Sequence, residues 1–289
     1  MSQRMTTRLK RILLVILRKI TNDVLYIKIR YFITYKRFIK LQKPNTFFAK
    51  INWLKLYDRN PFYTRLVDKF EVREHIKEKI GSEYLIENFG VYEDTEAIDF
   101  DKLPNKFILK ATHGAAWQII CEDKNKLDIA KSKKIMNKWL KSNFYEMWGE
   151  YVYKKVRPRI VCEALLSNEN NQALVDYKFH CFHGEPKYIQ TDRNRFKNHT
   201  LDFYDLEWSR LPFGLWFPPS ENTIPRPESL DKMIELSKIL SNEFKYVRVD
   251  FYFVKNKIFF GELTFYPCNG FGVFDPPSID YEMGELLKL

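Results

Sequence analysis

Two short strings near the C-terminus carry residue types able to hold a cation: Arg248-Val249-Asp250 and, after a brief gap, Gly261-Glu262-Leu263-Thr264. The alternation Val247, Val249, Phe251, Phe253 reads as one face of a strand, which leaves Arg248 and Asp250 together on the other. In the next strand Phe260, Glu262 and Thr264 are expected to share a face. The two polar sets meet only if the parity is right. A three-residue loop, Lys255 to Lys257, would pair Asp250 with Glu262 and Arg248 with Thr264, whereas a two-residue loop would send them to opposite faces. Opposed side chains have Cβ atoms about 4.5–5.5 Å apart, so two carboxylates there repel unless a cation lies between them. Such donors suit Mg²⁺, which takes one or two protein carboxylates and completes its octahedron with phosphate oxygens and water. The competing reading is an ion pair of Arg248 with Asp250 or Glu262 on a solvated face.

Other residues offer chemistry singly. Lys69, Lys110 and Lys178 lie on separate elements and are candidate point charges for the phosphates of a nucleotide. Glu163 falls inside an apolar strand, Ile160 to Leu166, where a carboxylate needs a hydrogen-bonding partner. His113, in a loop after the strand Phe107 to Ala111, is a candidate phosphate or acceptor contact. His180, Cys181 and His183 have donor atoms for a metal, but the fourth ligand is missing and a strand running into the turn His183-Gly184 gives the same spacing. Asp99-Phe100-Asp101, in the acidic run Glu93 to Asp101, is an Asp-x-Asp string of the sort that can hold a divalent metal for a sugar-nucleotide glycosyltransferase.

Elements are needed to position these groups. Phe70, Val72, Ile76 and Ile80 predict a helix from Asp68 that Gly81 ends, and residues 126–151 predict another. Strands are expected over 159–166, 174–182 and 187–190, then a Pro-rich loop around Trp216, a helix over 228–243, and the hairpin 246–254 with 258–265. Residues 44–66, with Pro44 and Pro61, read as a link to the body.

The composition bounds the class. The 289 residues are 45% hydrophobic and 29% charged, the balance of a folded globular chain. The four cysteines lie at no zinc spacing, as expected for free thiols in a reducing compartment. The net charge of +11 is all in one place: residues 1–43 hold twelve Lys and Arg against Asp23 alone. Ile12 to Leu17 is too short to span a bilayer. Leu9, Leu13, Ile16 and Ile20 fall at helical spacing, with Arg8, Arg11 and Arg18 off that stripe, so the arm reads as a helix on an anionic membrane or as a basic helix docked on the body. The balanced remainder lacks the extended basic surface of a nucleic-acid binder.

The paired strings resemble the magnesium-binding end of ATP-grasp enzymes, which have an Arg-x-Asp strand and a Glu-x-Asn strand. Asp68-Lys69 resembles the early lysine of that fold, Phe107-Ile108-Leu109-Lys110 its second nucleotide lysine, and Val161-Cys162-Glu163-Ala164-Leu165 its adenine-contacting hinge. Together with the hairpin strings, Asp176-Tyr177-Lys178-Phe179 and His183-Gly184-Glu185-Pro186 look like the TupA-like ATP-grasp family, associated with bacterial surface polysaccharide and teichuronopeptide biosynthesis. Two departures stand out. Thr264 replaces the usual Asn, so ligation there falls to a hydroxyl or to water, and the loop Ala111 to Ala116 has one glycine instead of several.

The resemblance implies an α+β ATP-grasp fold: two lobes with antiparallel sheets enclosing a nucleotide cleft, at 46–155 and 156–289, behind a basic helical arm, 1–45. It implies an ATP-dependent ligase that joins an amino acid or amine to a carboxylate, such as a uronic acid of a nucleotide- or lipid-linked glycan, through an acyl phosphate. ATP and Mg²⁺ would be held by Lys69, Lys110, His113, Glu163, Leu165 and Lys178 and by Asp250, Glu262 and Thr264, respectively. Arg248 would act on the oxyanion. Asp192, Arg193, Arg195 and Trp216 are the expected acceptor region. The expected place is cytoplasmic, peripheral at the inner face of the membrane through the arm. A glycosyltransferase and a non-enzymatic membrane-surface scaffold are the alternatives.

Overall fold

The computed structural model describes residues 12–167, 174–193 and 199–289. Its helices are α1 (12–20), α2 (Asp23–Tyr35), α3 (Phe47–Tyr57), α4 (Phe62–Val67), α5 (Val72–Lys79), α6 (Ile129–Leu140), α7 (Phe144–Trp148), α8 (Leu230–Ser241) and α9 (Ser278–Leu286). The strands β1 (Asn88–Tyr92), β2 (Phe107–Ala111), β3 (Gln118–Cys121) and β4 (Ile160–Ala164) form one antiparallel sheet in the order β1-β4-β2-β3. A second antiparallel sheet contains β5 (Asp176–Phe182), β6 (Glu185–Arg193), β7 (Thr200–Tyr204), β8 (Arg210–Leu211), β10 (Tyr246–Val254) and β11 (Lys257–Thr264), in the order β11-β10-β5-β6-β7-β8. Short strands β9 (Gly214–Leu215) and β12 (Phe274–Asp275) pair separately. The α+β class with antiparallel sheets is as expected.

Each sheet packs one alternating face into an apolar core. Val247, Val249 and Phe251 of β10 and Phe179 and Cys181 of β5 pack in one core with Leu230, Met233, Leu236 and Leu240 of α8. The other face of β10 carries Tyr246, Arg248 and Asp250, and α3 closes its Tyr246 end, with the Phe47 and Tyr246 rings 5.0 Å apart. The four-stranded sheet has its own core, Phe107, Leu109, Ile160 and Cys162 against Met136 of α6.

The segmentation differs from expectation in three places. Residues 44–66 hold α3 and α4 instead of a link, and α3 buries Phe47, Phe48, Ile51 and Leu54 in the core of the six-stranded sheet. The expected lobe boundary at 155/156 does not follow the packing, because β4 completes the first sheet while α3 to α5 pack with the second. The helix expected over 126–151 divides at Asn143, whose side chain accepts from the Glu146 N–H at 3.2 Å and starts α7.

The arm is not a separate unit either. Residues 1–11 lie outside the described residues, but α2 packs Tyr26, Ile27 and Tyr31 against Ala49, Leu56 and Phe271. Asp23 accepts from Arg18 at 2.6 Å, Arg59 at 2.7 Å and the Tyr145 hydroxyl at 2.9 Å, which ties α1 and α2 to the body.

Candidate active site

The hairpin β10–β11 closes with two residues, not three. Lys255 and Asn256 have φ of 51° and 60°, as the tight primed turn of a right-twisted hairpin requires, and Val254 pairs with Lys257. Counted from that turn, Glu262 would face the core. Instead Phe251 pairs with Phe260 and Asp250 with Glu262, leaving Gly261 as the extra residue of a β-bulge. Phe260 and Glu262 therefore lie on opposite faces, contrary to the expectation that they share one. The apolar pattern shows why: Ile258 and Phe260 keep one parity, Leu263 and Phe265 the other, and all four are buried. A Cβ at Gly261 would come within 3.0 Å of the Asp250 carbonyl oxygen, so the bulge suits glycine.

The bulge restores the register that joins the polar groups. Arg248 donates from Nε and Nη2 to the two oxygens of Asp250, both at 2.7 Å, and from Nη2 to Glu262 at 3.0 Å and Thr264 Oγ1 at 3.0 Å. Arg248 and Asp250 are buried, while the Glu262 side chain is 45% exposed. Burial pushes the Asp250 carboxyl up to about 7, although Arg248 and Lys178 draw it down. A buried carboxylate beside an accessible carboxylate and a hydroxyl is a donor set that fits Mg²⁺ together with phosphate oxygens. Among the described residues no group of three or more His, Cys, Asp and Glu forms a metal cluster.

The polar face continues across β5 and β6. Lys178 is opposite Asp250 and its ammonium lies 2.5 Å from Asp192 and 3.7 Å from Asp176. Asp192 also accepts from Gln190 at 2.8 Å and sits 2.6 Å from His199 Nε2, so it joins Lys178, Gln190 and His199 in one polar network. His180 lies between the Tyr246 hydroxyl, 2.9 Å away, and Gln190, 3.0 Å away, and burial with Arg248 nearby pushes its pKa down to about 3. Cys181 points into the core and the His183 ring accepts from the Lys288 N–H at 3.0 Å, so the three do not converge as a metal site.

The four-stranded sheet contributes the opposing groups. Lys110 donates to Glu163 at 2.8 Å and Arg73 lies 3.3 Å from the same carboxylate, so two cations partner Glu163. Leu165 follows directly after β4 and is half-buried. Lys69 donates to the Gly114 carbonyl at 2.5 Å, which pins the loop after β2. Burial lowers the Lys69 pKa, against Glu262 and then Asp68 and Glu163, which raise it, while Lys110 lowers it further. Lys69 thus lies within electrostatic reach of carboxylates from both sheets, Glu163 of β4 and Glu262 of β11. His113 turns away: its Nε2 is 2.8 Å from the Trp139 carbonyl and its ring packs on Trp117.

The expected acceptor residues do not assemble. Arg193 points to the opposite face from Asp192, to Asp202 and the Asn222 carbonyl. Trp216, 53% exposed, stands by β9, and Arg195 lies outside the described residues. Asp99 pairs with Lys102 at 3.1 Å and accepts from the Asp101 N–H at 3.2 Å, so the Asp-x-Asp string is a surface turn around the buried Phe100. What sequence reading missed is a further group of charges, Lys55 and Glu150, whose field reaches Glu262. Burial raises Glu150 to about 7 against Lys55 and Arg30, with Glu262 raising it further. The Lys55 ammonium is buried and donates to the Asn269 carbonyl at 2.9 Å and its side-chain oxygen at 2.7 Å. These residues come from four distant segments, and no local pattern marks them.

No curated protein matches the chain. Among solved structures, D-alanine–D-alanine ligase from Bacillus anthracis is 16% identical at a TM-score of 0.42, with 69% of this chain and 56% of that chain covered. The same ligase from Helicobacter pylori is 13% identical at 0.43, covering 84% and 70%. Phosphoribosylamine–glycine ligase from Thermotoga maritima is 14% identical at 0.41, covering 70% and 48%. The chain therefore spans little more than half of the first of these proteins. The model of the TupA-like ATP-grasp family matches residues 49–288, a span that holds both sheets, the pinned loop at Gly114 and the bulged hairpin, and the chain belongs to that family.

Proposed function

We propose that the protein is an ATP-dependent carboxylate–amine ligase that activates a carboxylate as an acyl phosphate and transfers it to an amino acid or related amine. The observation that carries this reading is the bulge at Gly261, which sets Glu262 and Thr264 beside Arg248 and Asp250 on the polar face instead of in the core. Asp250 and Glu262, with the Thr264 hydroxyl, would hold Mg²⁺. Bound Mg-ATP supplies the phosphoryl group and offsets the charge that develops as it moves.

The chain's own groups do the rest. Lys110 and Lys178 offer ammonium groups to phosphates from the two sheets, each held in place by carboxylates. Lys69 fixes the loop after β2 through Gly114, so that loop's backbone N–H groups keep one arrangement. Arg248, fixed by its bidentate contact, presents its remaining N–H groups where an oxyanion would form as the amine attacks. The acceptor in this reading is a carboxylate-bearing surface glycan, such as a uronic acid on a nucleotide or lipid carrier, and the place of work is the inner face of the membrane.

The test is incubation with Mg-ATP, pooled amino acids and uronic acid sugars, with nucleotide products resolved. ADP and phosphate are expected, dependent on both co-substrates. AMP and pyrophosphate would mean adenylation and overturn the mechanism.

A further inference from the structure

Helix α2 is apolar on two sides. Tyr26, Ile27 and Tyr31 are buried against the body, yet Leu25, Phe32 and Ile33 are 45%, 42% and 38% exposed. Positions 25, 28, 29, 32, 33 and 36 follow one another at helical spacing, so Lys28 and Lys36 lie in the same outward stripe. Phe38, just past the helix, is 78% exposed and stacks on Phe32 with ring centroids 4.9 Å apart. α1 adds Ile12, Leu13, Ile16 and Ile20, all exposed.

This is a patch and not scatter. Of the 17 large apolar side chains exposed among the described residues, eight fall within 12–38; single exposed apolar residues are ordinary, but a contiguous group marks a contact surface. Its charge is of one sign. Residues 12–43 contain eight Lys and Arg and one acid, Asp23, whose oxygens are taken by Arg18, Arg59 and Tyr145. A second copy would bring the same basic rim and be repelled. An anionic bilayer offers a complementary surface charge and an apolar interior shallow enough for short side chains to enter.

We propose that the outer face of α1 and α2, with Phe38 as its deepest side chain, docks on an anionic lipid bilayer. This deepens the peripheral-membrane part of the reading above and does not depend on its chemistry. The membrane element is thus a face of the folded body and not a detachable arm. It is held to the body: the Arg30 guanidinium lies 4.1 Å from the Phe271 ring centroid and the Tyr35 hydroxyl donates to the Gly272 carbonyl at 2.5 Å, both in the segment that follows β11.

The experiment uses the full chain and its Phe32→Ser/Phe38→Ser variant in flotation with phosphatidylcholine vesicles, with and without phosphatidylglycerol. Both phenylalanines are exposed, so melting and the Mg-ATP stabilisation should match the wild type. The wild type should float with anionic vesicles only, and the variant should lose roughly tenfold or more in partitioning. Equal partitioning by the variant would overturn this face while leaving membrane association to another part of the chain. A wild type that ignores anionic vesicles would overturn the face and the peripheral-membrane reading together, leaving the ligase reading standing. Concentration-dependent dimerisation lost in the variant, without vesicle binding, would assign the face to a second copy and overturn the proposal.

Discussion

Two tight hairpins of the six-stranded sheet, β5–β6 and β10–β11, reach the same end by different placement of one extra residue. β5–β6 turns on His183 and Gly184, with φ of 51° and 83°, and β10–β11 on Lys255 and Asn256, so each has a two-residue turn with both φ positive. Each also has a single bulge. In β5–β6 the extra residue is the exposed Lys187, close to the turn, and the rest of the ladder is regular from His180–Tyr188 to Asp176–Asp192. In β10–β11 the extra residue is Gly261, between the core pair Phe251–Phe260 and the site pair Asp250–Glu262. A bulge beside a turn only resets the count, whereas one inside the ladder divides a strand into a packing half and a chemical half. The second kind must fit between buried neighbours.

That difference can be broken at several points. The largest effect is expected from Arg248→Ala, because breaking a buried pair from one side costs about 3–5 kcal/mol; chemical denaturation will measure it. Glu262→Gln is the control that sharpens the contrast: its side chain is 45% exposed, so the ligand-free protein should melt nearly as the wild type does. It should nonetheless lose most of the stabilisation by Mg-ATP, which reaches about 2.7 kcal/mol at a hundredfold excess over Kd. If Glu262→Gln lowers the ligand-free melt and keeps the Mg-ATP shift, the hairpin is an ion-pair staple and not a metal site.

Next comes the bulge itself. Gly261→Val would press a side chain against the Asp250 carbonyl oxygen at 3.0 Å and Tyr252 at 3.2 Å, and should cost roughly 1–3 kcal/mol with a loss of Mg-ATP binding. An undiminished ligand shift would show that the bulge does not position the pair.

Within β5–β6 a pH-dependent effect of about 2 kcal/mol is expected at His180. The folded protein keeps this ring neutral down to about 3, while the unfolded chain protonates near its ordinary 6.5. Between those values the unfolded state binds the extra proton, so stability is lost as pH falls. His180→Gln removes that loss, and the gap between variant and wild type should change by roughly 2 kcal/mol from pH 7 to pH 5. Parallel denaturation curves at the two pH values would contradict it. The smallest effect belongs to the other bulge: Lys187→Val, on an exposed position, should stay within about 0.5 kcal/mol. A cost equal to that of Gly261→Val would remove the distinction between the two hairpins.

Much of this was legible in contiguous residues. The alternation Val247 to Phe253 told which face of β10 carries Arg248 and Asp250, because side-chain direction along a strand is local. The partner of Asp250 was foreseen through a three-residue loop that does not exist, and the register came out the same because the bulge makes up the missing residue. The signal was there in the step from Ile258 and Phe260 to Leu263 and Phe265 across a glycine. α3 was read as a link because a helix buried on nearly every side has no polar stripe to give it a period.

Where the excess charge lies, which strand faces are apolar and which strings carry the family's motif can be read along the chain, since each is a property of neighbouring residues. That α2 is built into the body, that Asp192 pairs with Lys178, and that Lys55 and Glu150 interact came from the tertiary structure alone. Those outcomes turn on burial, which is settled by competition among distant apolar surfaces, and a buried charge takes whatever partner that competition brings within reach.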